Sequence, residues 1–270
     1  MMTSLMHAVS TLPVVWMVSV IIVGSGTMSW GLVTMMRRWW PHPMFKENNE
    51  FVGFTYAIFG LIYGVLLAFT IITTWERFSR TEQLVMNEAA TLSKIWRYSE
   101  AFSPNIRAEI QHLLLDYTQS VITDEWPEMA RHGRAHPLTQ QKYEVLWKLS
   151  YIIHPENKNQ EAFLADYLER MSELSTSRRL RIMYSRSEVN PILLIVIFSG
   201  AFPSVIFTFL FSTKHGWVHV VVSSFITGLI GMSLLVLLSL QYPFTGDVSV
   251  SPDAFRVLLD SVQGRIGVRN

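Results

Sequence analysis

Four long stretches of this chain carry no Asp, Glu, Lys or Arg: residues 13–36, 51–75, 191–213 and 216–240. An α-helix rises 1.5 Å per residue, so roughly 20 apolar residues cross a bilayer core, and each stretch exceeds that length. Four transmembrane helices are expected. The first is read as a retained span and not a secretory leader, because residues 1–12 hold no Lys or Arg and the apolar run is too long for a leader core. Its Gly24, Gly26 and Gly31 are expected to mark close helix contacts.

Between the second and third stretches the pattern changes to amphipathic. Phe78, Leu84, Val85, Ala89, Leu92 and Ile95 continue a helical repeat beyond Trp75, so the second membrane helix is expected to run on until Ser103-Pro104. Ser103 then caps a helix with Pro104 at its first position and Ile106, Ile110, Leu113, Tyr117 and Val121 on one face, ending near Trp126-Pro127. A loop at 131–137, a helix at about 138–152 and a helix opening after His154-Pro155 follow. The last carries Phe163, Leu164, Tyr167, Leu168, Met171 and Leu174 and leads toward Asn190-Pro191. No strand period appears. The expected fold is all-α: transmembrane helices 1 and 2 in residues 1–75, a cytoplasmic helical domain in 76–190, transmembrane helices 3 and 4 in 191–240, and a cytoplasmic C-terminal tail in 241–270.

Charge decides which side the helical domain occupies. Of 22 Lys and Arg, only Arg37, Arg38, Lys46 and Lys214 fall in the two short connections, and the rest lie in the middle segment and tail. The positive-inside rule puts these regions and both termini in the cytoplasm of a bacterial inner membrane, although Arg37-Arg38 votes the other way. Trp39 and Trp40 read as interfacial anchors. The net charge of +1 offers no field to recruit nucleic acid.

Catalytic chemistry has no support in the motifs. Without a single Cys there is no thiolate nucleophile, and no H-E-x-x-H, G-x-S-x-G, Walker loop or dinucleotide fingerprint occurs. His132 and His136 have metal-ligand spacing, but Gly133 and Pro137 argue against a helix there, and Asp124, Glu125 and Glu128 read as a solvated helix end. Neither an enzyme, a metal nor a cofactor is expected. The spans also lack a carboxylate or amine at bilayer depth, and His219 sits near one end of its helix, which argues against coupled transport.

The second span carries the most information. Gly53, Ala57, Gly60, Gly64 and Ala68 form a small-residue stripe suited to helix packing, while Thr55, Phe59, Ile62, Leu66, Phe69 and Thr73 occupy the other side. One reading is packing on the first face and lipid on the second. The other is that Phe59, Ile62, Leu66 and Phe69 form the apolar neck of a pore between identical subunits, since one copy has too few helices to enclose a pore. Asn48 and Asn49, at the outer helix start, would then face a vestibule where helix dipoles favour an anion, opposed by Glu47 and Glu50.

The run from Asn48 through the Gly-rich second helix to Trp75-Glu76, then Asn87-Glu88-Ala89-Ala90, Tyr242-Pro243-Phe244-Thr245-Gly246 and Val250-Ser251-Pro252, resembles the bestrophin-like family of bacterial and plant membrane proteins over almost the whole chain. The resemblance implies a distant relation to bestrophins: oligomeric anion channels with cytoplasmic termini, a neck lined by the second membrane helix, and cytoplasmic helices that prolong the pore. Phe59, Ile62, Leu66 and Phe69 only approximate the Ile-Phe-Phe neck of bestrophins. Asp247 and Asp253 stand alone where animal bestrophins carry an acidic calcium clasp, so calcium gating is not expected. Glu88 either faces the pore or serves a contact between subunits, and the contact is the favoured role.

The expected function is a homo-oligomeric channel, tetramer or pentamer, passing small inorganic ions such as chloride through a lipid bilayer. A non-conducting scaffold or sensor that binds a partner through its cytoplasmic helices, or a cation channel, are the alternatives.

Overall fold

A computed structural model of the protein describes residues 13–39, 49–186, 190–211, 213 and 215–268. Every regular element among them is helical. In chain order they are α1 (Val14–Trp39), α2 (Asn49–Ser99), α3 (Pro104–Ser120), a π-helical turn (Val121–Glu125), α4 (Trp126–His132), α5 (Pro137–Leu149), α6 (Lys158–Tyr184), α7 (Pro191–Leu210), α8 (Gly216–Gln241) and α9 (Asp253–Val268). Trp40, Lys46, Glu47, Asn48 and Lys214, which entered the sequence argument, lie outside the described residues.

The chain divides into two units. The first takes in the described residues of Met1–Glu76, Glu188–Gln241 and Gly246–Val248; the second those of Arg77–Ser187, Tyr242–Thr245 and Ser249–Asn270. The uninterrupted helix α2 contributes to both.

In the first unit α1, α7, α8 and the first part of α2 are long and apolar enough to cross a membrane. Apolar side chains that would be a liability in water, such as Trp16, Trp30, Leu61 and Phe225, are exposed on them, as lipid-facing residues are. Close approach between helices occurs at glycine, since an added methyl group would displace the facing side chain. A Cβ on Gly231 of α8 would lie 2.9 Å from Ile21 of α1, and one on Gly228 would lie 3.3 Å from Ser25 Oγ. Gly24, Gly26 and Gly31, expected to mark such contacts, have open space where a Cβ would stand. The α1–α8 contact is made by the opposite partner's glycines.

The start of α1 is capped from a distant part of the chain. The Val14 N–H donates to Asp247 Oδ2 at 2.9 Å, placing a carboxylate at the positive end of the helix dipole. Asp247→Ala is expected to lower stability by about 1 kcal/mol, read as a lower unfolding midpoint of the detergent-solubilised protein, while Asp247→Asn retains most of the effect.

In the second unit the core joins α2, α3, α4, α5, α6 and α9. Leu92, Ile95, Ile110, Tyr117, Leu146, Tyr167, Met171, Leu174 and Phe255 are wholly enclosed or nearly so. Two boundaries differ from expectation. The chain does not leave the helical path at Trp126-Pro127: the π-helical turn widens the backbone just before Pro127, relieving the clash its ring makes one turn back. Gly133, at φ +61°, closes α4 instead. The C-terminal segment does not trail away: α9 packs Phe255 edge-on against Trp126, with ring centroids 5.8 Å apart.

Candidate functional site

Within the first unit, the two sides of α2 have different surroundings. Tyr56, Phe59, Tyr63, Leu67, Thr70 and Thr74 follow a helical stripe that turns inward, and the last four are buried. Aromatic rings mesh this face with α7: Tyr56 and Phe59 each lie 5.9 Å from Phe207, and Tyr56 meets Phe211 edge-on at 5.9 Å. A Cβ on Gly200 would come within 2.6 Å of the Tyr63 ring, so only glycine allows α7 this close. Thr70 and Thr74 donate their hydroxyls back to Leu66 O at 2.8 Å and Thr70 O at 2.7 Å, which removes the penalty of burying them.

Ile62, Leu66 and Phe69 form the other stripe and are 58%, 40% and 65% exposed within the chain. Phe59 does not join them. It is half-buried on Phe207 and lies over Tyr63, with centroids 6.4 Å apart. One turn of α2 therefore separates the four expected neck residues into an exposed set of three and a packing residue.

The small-residue stripe is not filled by this chain's own helices. Gly60 and Gly64 have nothing within 4 Å of a would-be Cβ, and only Gly53 has a neighbour, Phe211 at 3.6 Å. Ala57, Gly64 and Ala68 are exposed. Gly60, Gly64 and Ala68 instead line an open groove of about 350 Å³ facing Ile226, Leu229 and Ser233 of α8. Asn49 opens α2 with Glu50 in its first turn. His219 is buried, its Nε2 3.0 Å from the Thr208 carbonyl oxygen, and so ties α8 to α7 at the end of the span.

Within the second unit a cluster of charge lies where amphipathic periodicity calls for apolar residues. Arg181 is fully buried. Its Nε donates to Glu88 Oε2 at 2.7 Å, and its Nη2 donates to Glu125 Oε2 at 2.7 Å and Glu88 Oε1 at 3.1 Å. Arg178 donates from Nη2 to Glu125 Oε1 and from Nη1 to Gln140 Oε1, both at 2.6 Å. The Tyr117 hydroxyl completes the Glu88 shell, donating to Oε1 at 2.8 Å. Rings cover the cations: Trp126 and Phe255 lie 5.4 and 5.8 Å from the Arg181 guanidinium, and Tyr143 lies 5.0 Å from that of Arg178.

Two carboxylates against two guanidiniums leave this cluster neutral, the condition under which buried charge is tolerated. Burial pulls the Arg181 guanidinium toward deprotonation, but Glu88 and Glu125 outweigh it and hold its pKa well above the ordinary arginine value. Burial, then the Glu88 charge, push the Tyr117 hydroxyl well above the usual phenol range.

Glu88 is thus not available for a contact between subunits, because both its oxygens are engaged inside its own chain. Glu125 corrects the expectation of a solvated acidic end, since the π-helical turn swings it into the core. The neighbouring acids are engaged locally: Asp124 accepts from Ser120 Oγ at 2.8 Å, and Glu128 pairs with Arg134 at 2.6 Å and His132 at 3.1 Å. Asp253 pairs with Arg256 at 2.8 Å. No group of three His, Asp or Glu converges as a metal site among the described residues.

The Arg178–Arg181 pair had a signal in the sequence. On α6, Tyr167, Met171 and Leu174 set a buried stripe that positions 178 and 181 continue at the next helical steps. A charge on such a stripe needs a buried partner.

The model of the bestrophin-like domain matches residues 24–255. No curated protein matches the chain. A crystal structure of a bacterial bestrophin homologue from Klebsiella pneumoniae, carrying a point mutation, superposes with a TM-score of 0.66 at 12% identity, covering 91% of this chain and 99% of that one. A second point mutant of that homologue gives 0.65 at 14% identity over 91% and 98%. A crystal structure of a membrane protein gives 0.65 at 11% identity over 89% and 97%. At these identities the superpositions establish a shared fold, and with the domain match spanning most of its length the chain belongs to the bestrophin-like family.

Proposed function

We propose that this chain assembles into a homo-oligomer, a tetramer or pentamer, whose α2 helices surround a pathway for passive conduction of small inorganic anions such as chloride. The helical unit and both termini face the cytoplasm of a bacterial inner membrane in this reading. The supporting observation is the division of α2: Tyr56, Phe59 and Tyr63 pack it on α7, while Ile62, Leu66 and Phe69 are exposed within the chain. Symmetry repeats that uncovered stripe around an axis, and a ring of apolar side chains is a constriction that ions pass only when water wets it. The fold shared with the Klebsiella pneumoniae bestrophin homologue supports the same reading.

Purified protein in planar bilayers is expected to give unitary currents, with a reversal potential near that of chloride under a potassium chloride gradient. Silent bilayers from a well-folded oligomer would favour a non-conducting scaffold whose helical unit binds a partner. Reversal near the potassium potential would turn the proposal to a cation channel.

A further inference from the structure

We infer that the exposed stripe of α2 within the second unit, Arg80, Gln83, Asn87, Ala90, Lys94 and Arg97, selects for anions. These positions repeat at alternating steps of three and four, so they share one side of the helix. All are exposed, while Thr81, Val85, Glu88, Ala89, Leu92, Ile95 and Trp96 between them are buried. The exposed side of the helix could have carried any mixture of charges. Between Arg80 and Arg97 it carries three cations and two amides, with carboxylates only at its two ends: Glu76, exposed one turn before Arg80, and Glu100, three residues after Arg97.

The other acids of this stretch lie off the stripe. Glu88 is held by Arg181 in the core, and Glu82 lies to one side of the stripe around the helix, so the exposed acids bound the stripe without interrupting it. The cations are also little neutralised. Arg80 and Arg97 make no ion pair among the described residues, and Lys94 reaches only Glu173 at 3.9 Å, in a surface contact of small weight.

This inference rests on the proposal that α2 lines the pathway. Around a symmetry axis each residue of the stripe becomes a ring, so Arg80, Lys94 and Arg97 stack rings of positive charge while Gln83 and Asn87 offer N–H donors between them. Like charges repeated within a Debye length of one another sum to a field that raises the local anion concentration and lowers that of cations. Bare inorganic anions are the ligand class, since the stripe has no apolar pocket or aromatic platform for an organic one.

The test is recording in bilayers under a potassium chloride gradient at low ionic strength. Removing two cations per subunit in the double variant Arg80→Gln/Arg97→Gln is expected to lower the chloride-to-potassium permeability ratio by roughly threefold or more, with conductance retained. Gln83→Glu places a carboxylate on the same stripe and is expected to move the ratio the same way, which keeps the test open if the double variant fails to fold. An unchanged ratio in a conducting variant overturns the inference. The underlying reading is tested separately. The chain has no Cys, so Gln83→Cys and Asn87→Cys provide single reactive sites. Charged thiol reagents are expected to alter the current at both; modification without any change in current would remove α2 from the pathway and the selectivity inference with it.

Discussion

Methionine in place of Arg181 is expected to destabilise the second unit by about 3–5 kcal/mol, the effect of leaving a buried charge unpaired. The variant strands Glu88 without its main partner and leaves Glu125 with Arg178 alone, in a core where neither carboxylate reaches water. Chemical unfolding of the solubilised full-length protein measures the loss. Hydrogen exchange should locate it in α2, α3, α4 and α6, the elements that the cluster joins or borders. Replacing Glu88 and Arg181 together by Met is expected to recover part of the stability, because it removes both charges from a site that no longer needs them matched. An Arg181→Met protein as stable as the wild type would mean that the cluster is open to water in solution.

Alanine at both Ile62 and Leu66 is expected to raise unitary conductance about tenfold, equivalent to lowering the passage barrier by ~1.4 kcal/mol. Both side chains are exposed in the chain, so trimming them leaves no internal cavity and should not disturb folding. What changes is the width and wettability of the ring they form. Phe59→Ala is the informative contrast. That side chain packs on Phe207, so its loss is expected to loosen α2 from α7 and reduce thermal stability with little direct effect on conductance. Unchanged conductance in a well-folded Ile62→Ala/Leu66→Ala protein would take both residues out of the neck, whatever their exposure.

The contrast between Ile62 and Phe59 also marks how far the candidate site was legible in the sequence. A period of 3.6 places Phe59, Ile62, Leu66 and Phe69 on one broad side of α2, with Phe59 within about 20° of Leu66, so the helical period alone cannot part them; the contact with Phe207 of α7 does. Gly60 and Gly64 show the same limit. A small residue permits close approach without specifying which helix approaches: of the stripe glycines only Gly53 meets a neighbour, while Gly200, Gly228 and Gly231 on the later spans make close contacts. The helix α9 also has local signals: Ser251-Pro252-Asp253 is a helix start, and Phe255, Leu258, Leu259 and Val262 follow at helical spacing.

By itself the sequence determined the four apolar spans, the all-helical class, the extension of α2 beyond Trp75, and the helix starts at Pro104 and Pro191, although the Ser103 side chain makes no capping hydrogen bond. These are local properties, since a run of uncharged residues, a period or a proline acts within a few turns of where it stands. Only the tertiary structure decided that Glu88 is an internal ion-pair partner, that a π-helical turn carries Glu125 inward, and that Asp247 caps α1. Glu88 and Arg181 are 93 positions apart, and Val14 and Asp247 are 233 apart. The solvation of a charged side chain depends on everything packed around it, and no local pattern records which distant segment will arrive there.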